Sequence, residues 1–206
     1  MTYGRWGDRI PVTVCTPTIQ PRSPLLNRAM ASVMNQTLQP LTHLILSDFR
    51  KLGAPAMLDE CLRTARTEWV AILADDDEFL PHHLETLWNL VEEAGADIGY
   101  THFRFSNQPD AGHLEKFRGL PFDYDHPRQM TGVYLGRREL LLDVGGHSTG
   151  FDPESYELDE QGHRAGEDFL LVKRLAAARA RIAVSPEVTW IYHLGHGNTL
   201  GMPSRW

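Results

Sequence analysis

The sequence contains little cysteine and no long apolar run. Its two cysteines, Cys15 and Cys61, are too few for a disulfide framework, and their spacing matches neither a zinc site nor a redox motif. We therefore expect two buried thiols. The longest apolar runs, such as residues 69–74, are far shorter than the roughly 20 residues that a membrane-spanning helix needs. These absences exclude a disulfide scaffold and predict a chain without a transmembrane helix.

The first residues do not have the pattern expected of a secretory signal. Residues 1–9 carry charges with no apolar segment behind them, whereas a signal peptide needs one. We therefore expect a cytoplasmic protein in which residues 1–10 form a flexible N-terminal segment.

Basic residues are in the minority. The chain has 20 Lys and Arg against 27 Asp and Glu, a net charge of -7, and the basic residues are scattered along it. Because nucleic-acid binding needs a basic patch, bulk binding to nucleic acid is not expected. With 42% hydrophobic residues, no internal repeat and no linker, the composition predicts one globular domain over residues 1–206.

Strand-like and helix-like segments alternate along the first half of the chain. Strands are predicted at residues 11–16, 43–47 and 68–74, and helices after Ser23-Pro24, around residues 57–66 and from Pro81. The second half adds a strand at 98–105, a strand and helix over 131–142 and a helix at 169–180, after which the chain closes with residues 181–184 and 188–199. This alternation predicts an α/β fold with a mostly parallel central sheet and helices on both faces.

Polar residues follow each of the first three predicted strands. Pro17-Thr18 follows the first strand, Asp48 follows the second, and Asp75-Asp76-Asp77 follows the third. Ligands bind beyond the carboxyl ends of the strands in open α/β sheets. The sequence therefore predicts a binding site where these residues meet.

The three consecutive acids have two interpretations. Adjacent carboxylates repel each other, so a triplet at the end of a buried strand favours a bound divalent cation such as Mg²⁺ or Mn²⁺. Alternatively, the acids form a solvated turn that caps the following helix. The adjacent His82-His83 pair does not strengthen the metal interpretation. Neighbouring residues on a helix point about 100° apart, so we expect these histidines to form an exposed first turn.

Glu167-Asp168 also has two interpretations. A carboxylate can remove the proton from an attacking hydroxyl group and so act as a general base. Alternatively, the two acids cap the start of a helix, because the helix dipole favours acidic residues in the first turn.

These motifs together resemble the inverting glycosyltransferases of family 2, which have the GT-A fold. The resemblance depends on the order of the residues named above and on His196-Gly197-Asn198-Thr199 near the end of the chain, and it spans about residues 12–199. It implies a metal-dependent enzyme that transfers a sugar from a nucleotide donor, expected to be a UDP-sugar, to an acceptor hydroxyl with inversion.

The resemblance also implies a role for individual residues. The nucleotide is expected to contact Pro17, Thr18, Asp48, Asp75 and Asp76. Asp76 occupies the position of the ligand for Mn²⁺ or Mg²⁺, and His196 is the expected second ligand to metal or phosphate, with His193 as the next candidate. Asp168 is the expected base, with Glu167 as a neighbour that binds the acceptor or tunes the pKa of the base.

Two positions depart from the family pattern. Ala74 stands where the first acid of the usual Asp-x-Asp-Asp motif is expected, and Leu58-Asp59 replaces an Arg-Asn pair found in many relatives. Arg22 or Arg63 could supply the missing nucleotide contact.

Two other functions stay open because of these departures. A non-catalytic nucleotide- or sugar-binding module would tolerate both. A sugar nucleotidyltransferase would need a glycine-rich phosphate loop, which residues 15–20 lack. We expect the loops at 106–128 and 146–166 to shape the acceptor pocket.

Overall fold

A computed structural model describes residues 9–19, 23–107, 115–127, 130–152 and 166–193. These residues form seven strands, five α-helices and one turn of 3-10 helix. In chain order the elements are β1 (Arg9–Thr18), α1 (Ser23–Met34), β2 (Gln39–Ser47), α2 (Ala54–Thr64), β3 (Trp69–Ile72), β4 (Glu78–Phe79), α3 (His83–Ala94), β5 (Ile98–Phe105), the 3-10 turn (Glu115–Phe117), β6 (Tyr134–Arg137), α4 (Arg138–Asp143), α5 (Glu167–Ala177) and β7 (Ile182–Tyr192). That residues 1–206 form a single domain stays a prediction.

The seven strands form one sheet in the order β2-β1-β3-β6-β5-β7-β4. Strand β1 pairs in parallel with both β2 and β3, and β5 pairs in parallel with β7. Strands β6 and β4 pair antiparallel with their neighbours, so five strands run in one direction and two in the other. The predicted α/β fold with a mostly parallel sheet is confirmed.

The side chains of β1 alternate between two cores, one on each face of the sheet. Val12 and Val14 pack in a core with residues of α1 and α3. Cys15 packs in the other core with residues of α2, α4 and α5. Helices therefore cover both faces. Cys61 of α2 lies in the same core as Cys15, and both thiols are free and buried, as predicted. The contact with Cys61 and the burial raise the pKa of Cys15.

Strand β1 is longer at both ends than the sequence predicts. It begins at Arg9, and Ile10 is buried, so the predicted flexible segment is wrong for residues 9 and 10. At the other end it continues through Pro17 to Thr18. Proline lacks the N–H that a ladder needs, but the pairing with β3 has already ended at Cys15. Pro17 is therefore accommodated beside β2 alone.

The helix after Pro81 begins two residues later than predicted, and its first residue is not exposed. His83 is fully buried and stacks on Phe79, and its Nδ1 lies 2.6 Å from Thr189 Oγ1. Burial lowers the pKa of His83 to about 3, so its ring is neutral. The prediction that His83 lies in an exposed first turn is therefore wrong. The short strand β4, which the sequence pattern did not indicate, pairs with β7 and brings the start of α3 against the sheet.

Within the described ranges, no helix combines the length and the apolar character that crossing a membrane requires.

Candidate active site

A cavity of about 270 Å³ lies beyond the carboxyl ends of β1, β2 and β3. Polar residues predicted from the sequence line it together with apolar and aromatic side chains. The lining consists of Pro17, Thr18, Ile19, Asp48, Ala54, Met57, Leu58, Ile72, Ala74, Asp75, Asp76, Asp77, Gly132, Val133, His147, Glu167, Asp168, Trp190 and Tyr192. Every predicted nucleotide-binding residue and both predicted catalytic residues thus face one cavity, at the sheet edge where α/β folds bind ligands.

The ends of the first three strands are joined by hydrogen bonds. Asp48 donates its backbone N–H to the carbonyl oxygen of Thr18, with an N···O distance of 2.8 Å. Thr18 Oγ1 donates to Asp75 Oδ2 at 2.6 Å. These bonds position the three side chains relative to each other before any ligand binds.

One oxygen of the Asp48 carboxylate is used by the fold and the other is not. Oδ2 accepts a hydrogen bond from the backbone N–H of Gly53 at 2.8 Å. Oδ1 is buried and makes no hydrogen bond within the described residues. Leaving a buried acceptor unpaired costs about 1–3 kcal/mol, so a ligand that donates to Oδ1 would recover that cost.

The acidic triplet is buried, which contradicts the solvated-turn interpretation. The exposed fractions of Asp75, Asp76 and Asp77 are 3%, 7% and 3%. Burial and the neighbouring Asp76 carboxylate raise the pKa of Asp77, whose Oδ1 accepts the backbone N–H of His193 at 3.0 Å. The triplet therefore places three buried carboxyl groups in the cavity wall.

Arg28 of α1 contacts the acidic triplet, and the sequence patterns did not single it out. Its Nη2 donates to the carbonyl oxygen of Asp76 at 2.5 Å, and its charge acts to lower the pKa of Asp77. A signal was available in principle, since α1 follows β1 and its amino end approaches the same sheet edge. Nothing in the residue type distinguished this arginine from the others.

The donor set fits a divalent cation that is also bound by a substrate. The described residues contain no group of three or more His, Cys, Asp or Glu that could hold a metal ion by themselves. Mg²⁺, however, is usually held by one or two carboxylates together with substrate phosphates and water. Asp76, which lines the cavity beside two further buried carboxylates, matches that requirement.

The two histidine candidates have different outcomes. His196 lies outside the described residues, so its predicted role stays a prediction. His193 follows β7 and lies beside the acidic segment, with Nε2 3.3 Å from Glu78 Oε2.

Glu167 and Asp168 form the first turn of α5, directly after Gly166. Asp168 Oδ1 accepts the backbone N–H of Phe169 at 2.7 Å, so this carboxylate also contributes to the helix start. A Cβ at Gly166 would lie 2.8 Å from Asp168 Oδ1, and a Cβ at Gly132 would lie 3.7 Å from Oδ2. The distance at Gly132 is an ordinary van der Waals contact, whereas that at Gly166 is too short for a Cβ, so Gly166 leaves room for the carboxylate. Burial, followed by the Asp168 charge, raises the pKa of Glu167 to about 7.

The two departures from the family pattern are visible in the cavity wall. Leu58 and Ala74 both line it and make part of it apolar. Arg63, which was considered as a substitute for the missing arginine, is exposed and pairs with Glu60 at 3.2 Å instead of lining the cavity. Arg22 lies outside the described residues.

Asp59 has a structural function that the sequence did not reveal. Its buried carboxylate accepts the backbone N–H of His147 at 2.6 Å and that of Ser148 at 3.2 Å, as well as the Ser148 hydroxyl. A Cβ at Gly146 would collide with the Asp59 carboxylate, and the φ of Gly146 is +66°. Glycine is therefore required at this turn. Gly145-Gly146 after a helix was the only signal, and it indicated a helix end without indicating this contact.

Arg174 of α5 holds the same loop from the other side. Nε donates to the carbonyl oxygen of Val144 at 2.9 Å, Nη1 to that of Thr149 at 2.5 Å, and Nη2 to that of Gly146. The loop at 144–149 is thus fixed between α2 and α5. It brings His147 into the cavity wall, so the predicted loop at 146–166 contributes at least this residue. From the predicted loop at 106–128, none of the residues that the structure describes lines the cavity.

The sequence and the fold were compared with known proteins. Residues 43–151, more than half of the chain, match the family described as Glycosyl transferase family 2. The succinoglycan biosynthesis protein ExoO of Rhizobium meliloti (strain 1021) is 26% identical over 168 residues, which cover 77% of this chain and 47% of ExoO. The chain therefore spans about half the length of this curated relative.

Solved structures of S. aureus TarS have a similar fold. TarS 1–349 has a TM-score of 0.66 and 16% identity, covering 88% of this chain and 60% of that chain. The complex of TarS 1–349 with UDP-GlcNAc has a TM-score of 0.69 and 15% identity, covering 93% and 60%. The predicted GT-A fold is confirmed by this similarity. Together with the match over residues 43–151, it shows that the chain belongs to glycosyl transferase family 2.

Proposed function

We propose that this chain transfers a sugar from a UDP-sugar to an acceptor hydroxyl group, with inversion at the anomeric carbon. The observation that carries the proposal is that the joined strand ends, the buried acidic triplet and the Glu167-Asp168 pair face one cavity. The TarS structures offer support for the donor, since they include complexes of that protein with UDP and with UDP-GlcNAc.

The uridine part of the donor binds at the strand ends. Asp48 Oδ1 accepts a hydrogen bond from the base or ribose, while Pro17 and Thr18 form the adjacent wall. Asp75 is held by Thr18 and contacts the ribose. Met57 and Leu58 supply apolar surface in place of the arginine that many relatives have.

Asp76 holds a divalent cation, with His196 as the second candidate ligand. When bound, Mn²⁺ or Mg²⁺ supplies Lewis-acid stabilisation of the departing diphosphate. The buried negative charge of the triplet offsets the loss of hydration that the cation undergoes in the cavity.

Asp168 acts as the general base. The acceptor oxygen attacks the anomeric carbon while the bond from that carbon to the diphosphate oxygen breaks, and the hydroxyl proton passes to the Asp168 carboxylate. Attack on the face opposite the leaving group inverts the configuration. UDP leaves with the electron pair of the broken bond. Glu167, whose pKa is about 7, binds the acceptor as a neighbour that can donate a hydrogen bond.

The test uses the wild-type protein with UDP-glucose, UDP-galactose and UDP-N-acetylglucosamine. Calorimetry with and without Mn²⁺ measures binding, and release of UDP measures donor turnover by water or by added sugar acceptors. We expect Mn²⁺-dependent binding of at least one donor, with UDP release. Binding without release under any condition would favour a non-catalytic binding module. Absence of binding of all three donors would contradict the UDP assignment.

A further inference from the structure

His147 is a buried polar residue in the cavity wall that the proposed reaction does not use. Only 2% of the surface of His147 is exposed. Nε2 lies 2.8 Å from the hydroxyl oxygen of Tyr134, whereas Nδ1 makes no hydrogen bond within the described residues. Buried polar atoms without a partner are rare in folded proteins, and those that exist call for an explanation.

The fold holds His147 in place by its backbone. Asp59 of α2 accepts its N–H, and Arg174 of α5 binds the carbonyl oxygen of the preceding Gly146. The ring is oriented by the contact of Nε2 with the Tyr134 hydroxyl and by stacking on the Tyr134 ring, with a centroid distance of 6.1 Å. Turning the ring to pair Nδ1 elsewhere would break these contacts, so Nδ1 has no partner among the described residues.

The loop that carries His147 is attached to α2 and to α5, two helices that both line the cavity. Helix α2 supplies Met57 and Leu58 at the nucleotide end, and the first turn of α5 supplies Glu167 and Asp168 at the other. In the transfer reaction, the sugar lies between the nucleotide and the acceptor that attacks its anomeric carbon. His147 lines the same cavity in a loop held by both helices, and this arrangement favours a contact with the sugar.

The charge state of His147 indicates which part of the donor it can bind. Burial is the main cause that lowers the pKa of His147 to about 4, and the Arg174 charge lowers it further against the opposing effect of Asp59. The ring is therefore neutral at pH 7. A neutral ring gives one donor or one acceptor at Nδ1, depending on whether Nε2 accepts from or donates to Tyr134. Such a group suits an uncharged hydroxyl or amide better than a diphosphate, which would favour a cation.

We propose that Nδ1 of His147 forms a hydrogen bond with a hydroxyl or amide group of the transferred sugar and so contributes to the choice of donor. This proposal rests on the proposed function, because it requires a UDP-sugar in the cavity.

The experiment compares three substitutions of His147 by calorimetry with UDP and with the UDP-sugar that wild-type protein binds best among the three named above. His147→Asn places an amide near the position of Nδ1, His147→Gln places it near Nε2, and His147→Phe removes both polar atoms. We expect Gln and Phe to weaken UDP-sugar binding about tenfold and Asn to weaken it less than threefold. Affinity for UDP should stay within twofold of wild type in all three variants.

His83→Asn is the control for loss of a buried imidazole elsewhere. His83 lies outside the cavity lining, and asparagine keeps the contact with Thr189. The ratio of UDP-sugar to UDP affinity should not change in this variant, and melting temperatures show which variants fold. Equal weakening of UDP and UDP-sugar, or wild-type UDP-sugar affinity in folded His147→Phe, would overturn the His147 proposal alone. Absence of UDP-sugar binding by the wild-type protein would overturn the proposed function and this proposal with it.

Discussion

The two ends of the cavity are built in different ways. At the nucleotide end, Thr18 ends β1 while Asp48 and Asp75 follow β2 and β3, and the hydrogen bonds that join them connect neighbouring parallel strands. At the catalytic end, Glu167 and Asp168 lie on a helix, and the adjoining loop with His147 is fixed by Asp59 and Arg174. The first end follows from sheet geometry, whereas the second depends on side chains far apart in the sequence.

The electrostatics of the two ends also differ. At the nucleotide end, one carboxylate oxygen of Asp48 has no hydrogen-bond partner in the part of the chain that the structure describes, and it can accept a hydrogen bond from a ligand. The catalytic end places two carboxyl groups side by side, and this proximity together with burial raises the pKa of Glu167. Changes at the nucleotide end should therefore affect binding, and changes at the catalytic end should affect turnover. Four variants test this division.

Asp168→Asn should have the largest effect. Removal of the base is expected to lower turnover by roughly two to four orders of magnitude, while affinity for UDP stays near that of wild type. Transfer rate, UDP affinity and melting temperature are measured on the same preparation. Glu85→Gln is the matched control, because Glu85 is an acid in the first turn of α3 and lies outside the cavity.

A purely structural function of Asp168 predicts a different result. Asparagine is tolerated at helix starts, so stability, binding and turnover would then all change little. Near-normal transfer by Asp168→Asn would remove it as the base and make Glu167 the next residue to test. A fall in transfer that only parallels a loss of UDP affinity would assign Asp168 to the donor site.

Asp76→Asn should have the next largest effect, on metal-dependent binding. The substitution removes one charge at nearly constant volume, so we expect Mn²⁺-dependent affinity for UDP to fall about 10- to 100-fold. Asp77→Asn should matter less, since an asparagine oxygen can still accept the N–H of His193. Calorimetry with and without Mn²⁺ makes the comparison, and unchanged UDP affinity of Asp76→Asn in Mn²⁺ would remove Asp76 as a ligand.

Asp48→Ala should weaken the binding of uridine, UMP and UDP by a similar factor of roughly ten, because the lost contact involves only the base or ribose. The loss of the Gly53 contact should also lower the melting temperature, whereas Asp48→Asn can keep that contact through its side-chain oxygen. Titration with the three ligands separates the two effects. Weakening confined to UDP would place Asp48 at the diphosphate instead.

Glu167→Gln should have the smallest effect, on the pH dependence of stability. The folded-state pKa of about 7 exceeds the ordinary value of 4.5, so the folded protein binds more protons than the unfolded chain between these values. The stabilisation is complete below about pH 4.5 and is lost as pH rises through 7. Glutamine cannot ionise, so the fall in melting temperature between pH 5 and 8 should shrink by roughly 2–4 °C. Equal pH profiles would show that Glu167 ionises normally.

Much of the nucleotide end could be predicted because it depends on local patterns. Short apolar runs that end in Thr18, Asp48 and Asp75 indicate parallel strands, and parallel strands bring their carboxyl ends together. The pattern failed at His83, where a two-residue strand paired with β7 buries a polar residue. It also failed for Arg63, which lies in the last turn of α2 and pairs with Glu60. The cavity is lined by residues from the first half of that helix, and the sequence pattern does not show this.

The sequence alone determined the α/β fold, the buried thiols and the residues at the strand ends, since each depends on residue type and spacing within one segment or between neighbouring segments. Only the tertiary structure decided that the acidic triplet is buried beside Arg28 and that Asp59 binds residues 88 and 89 positions further along the chain. It also decided that His147 lines the cavity with a nitrogen that has no partner among the described residues. These features depend on contacts between distant segments. Their free energy comes from burial and hydrogen bonding that exist only after the sheet and helices have packed.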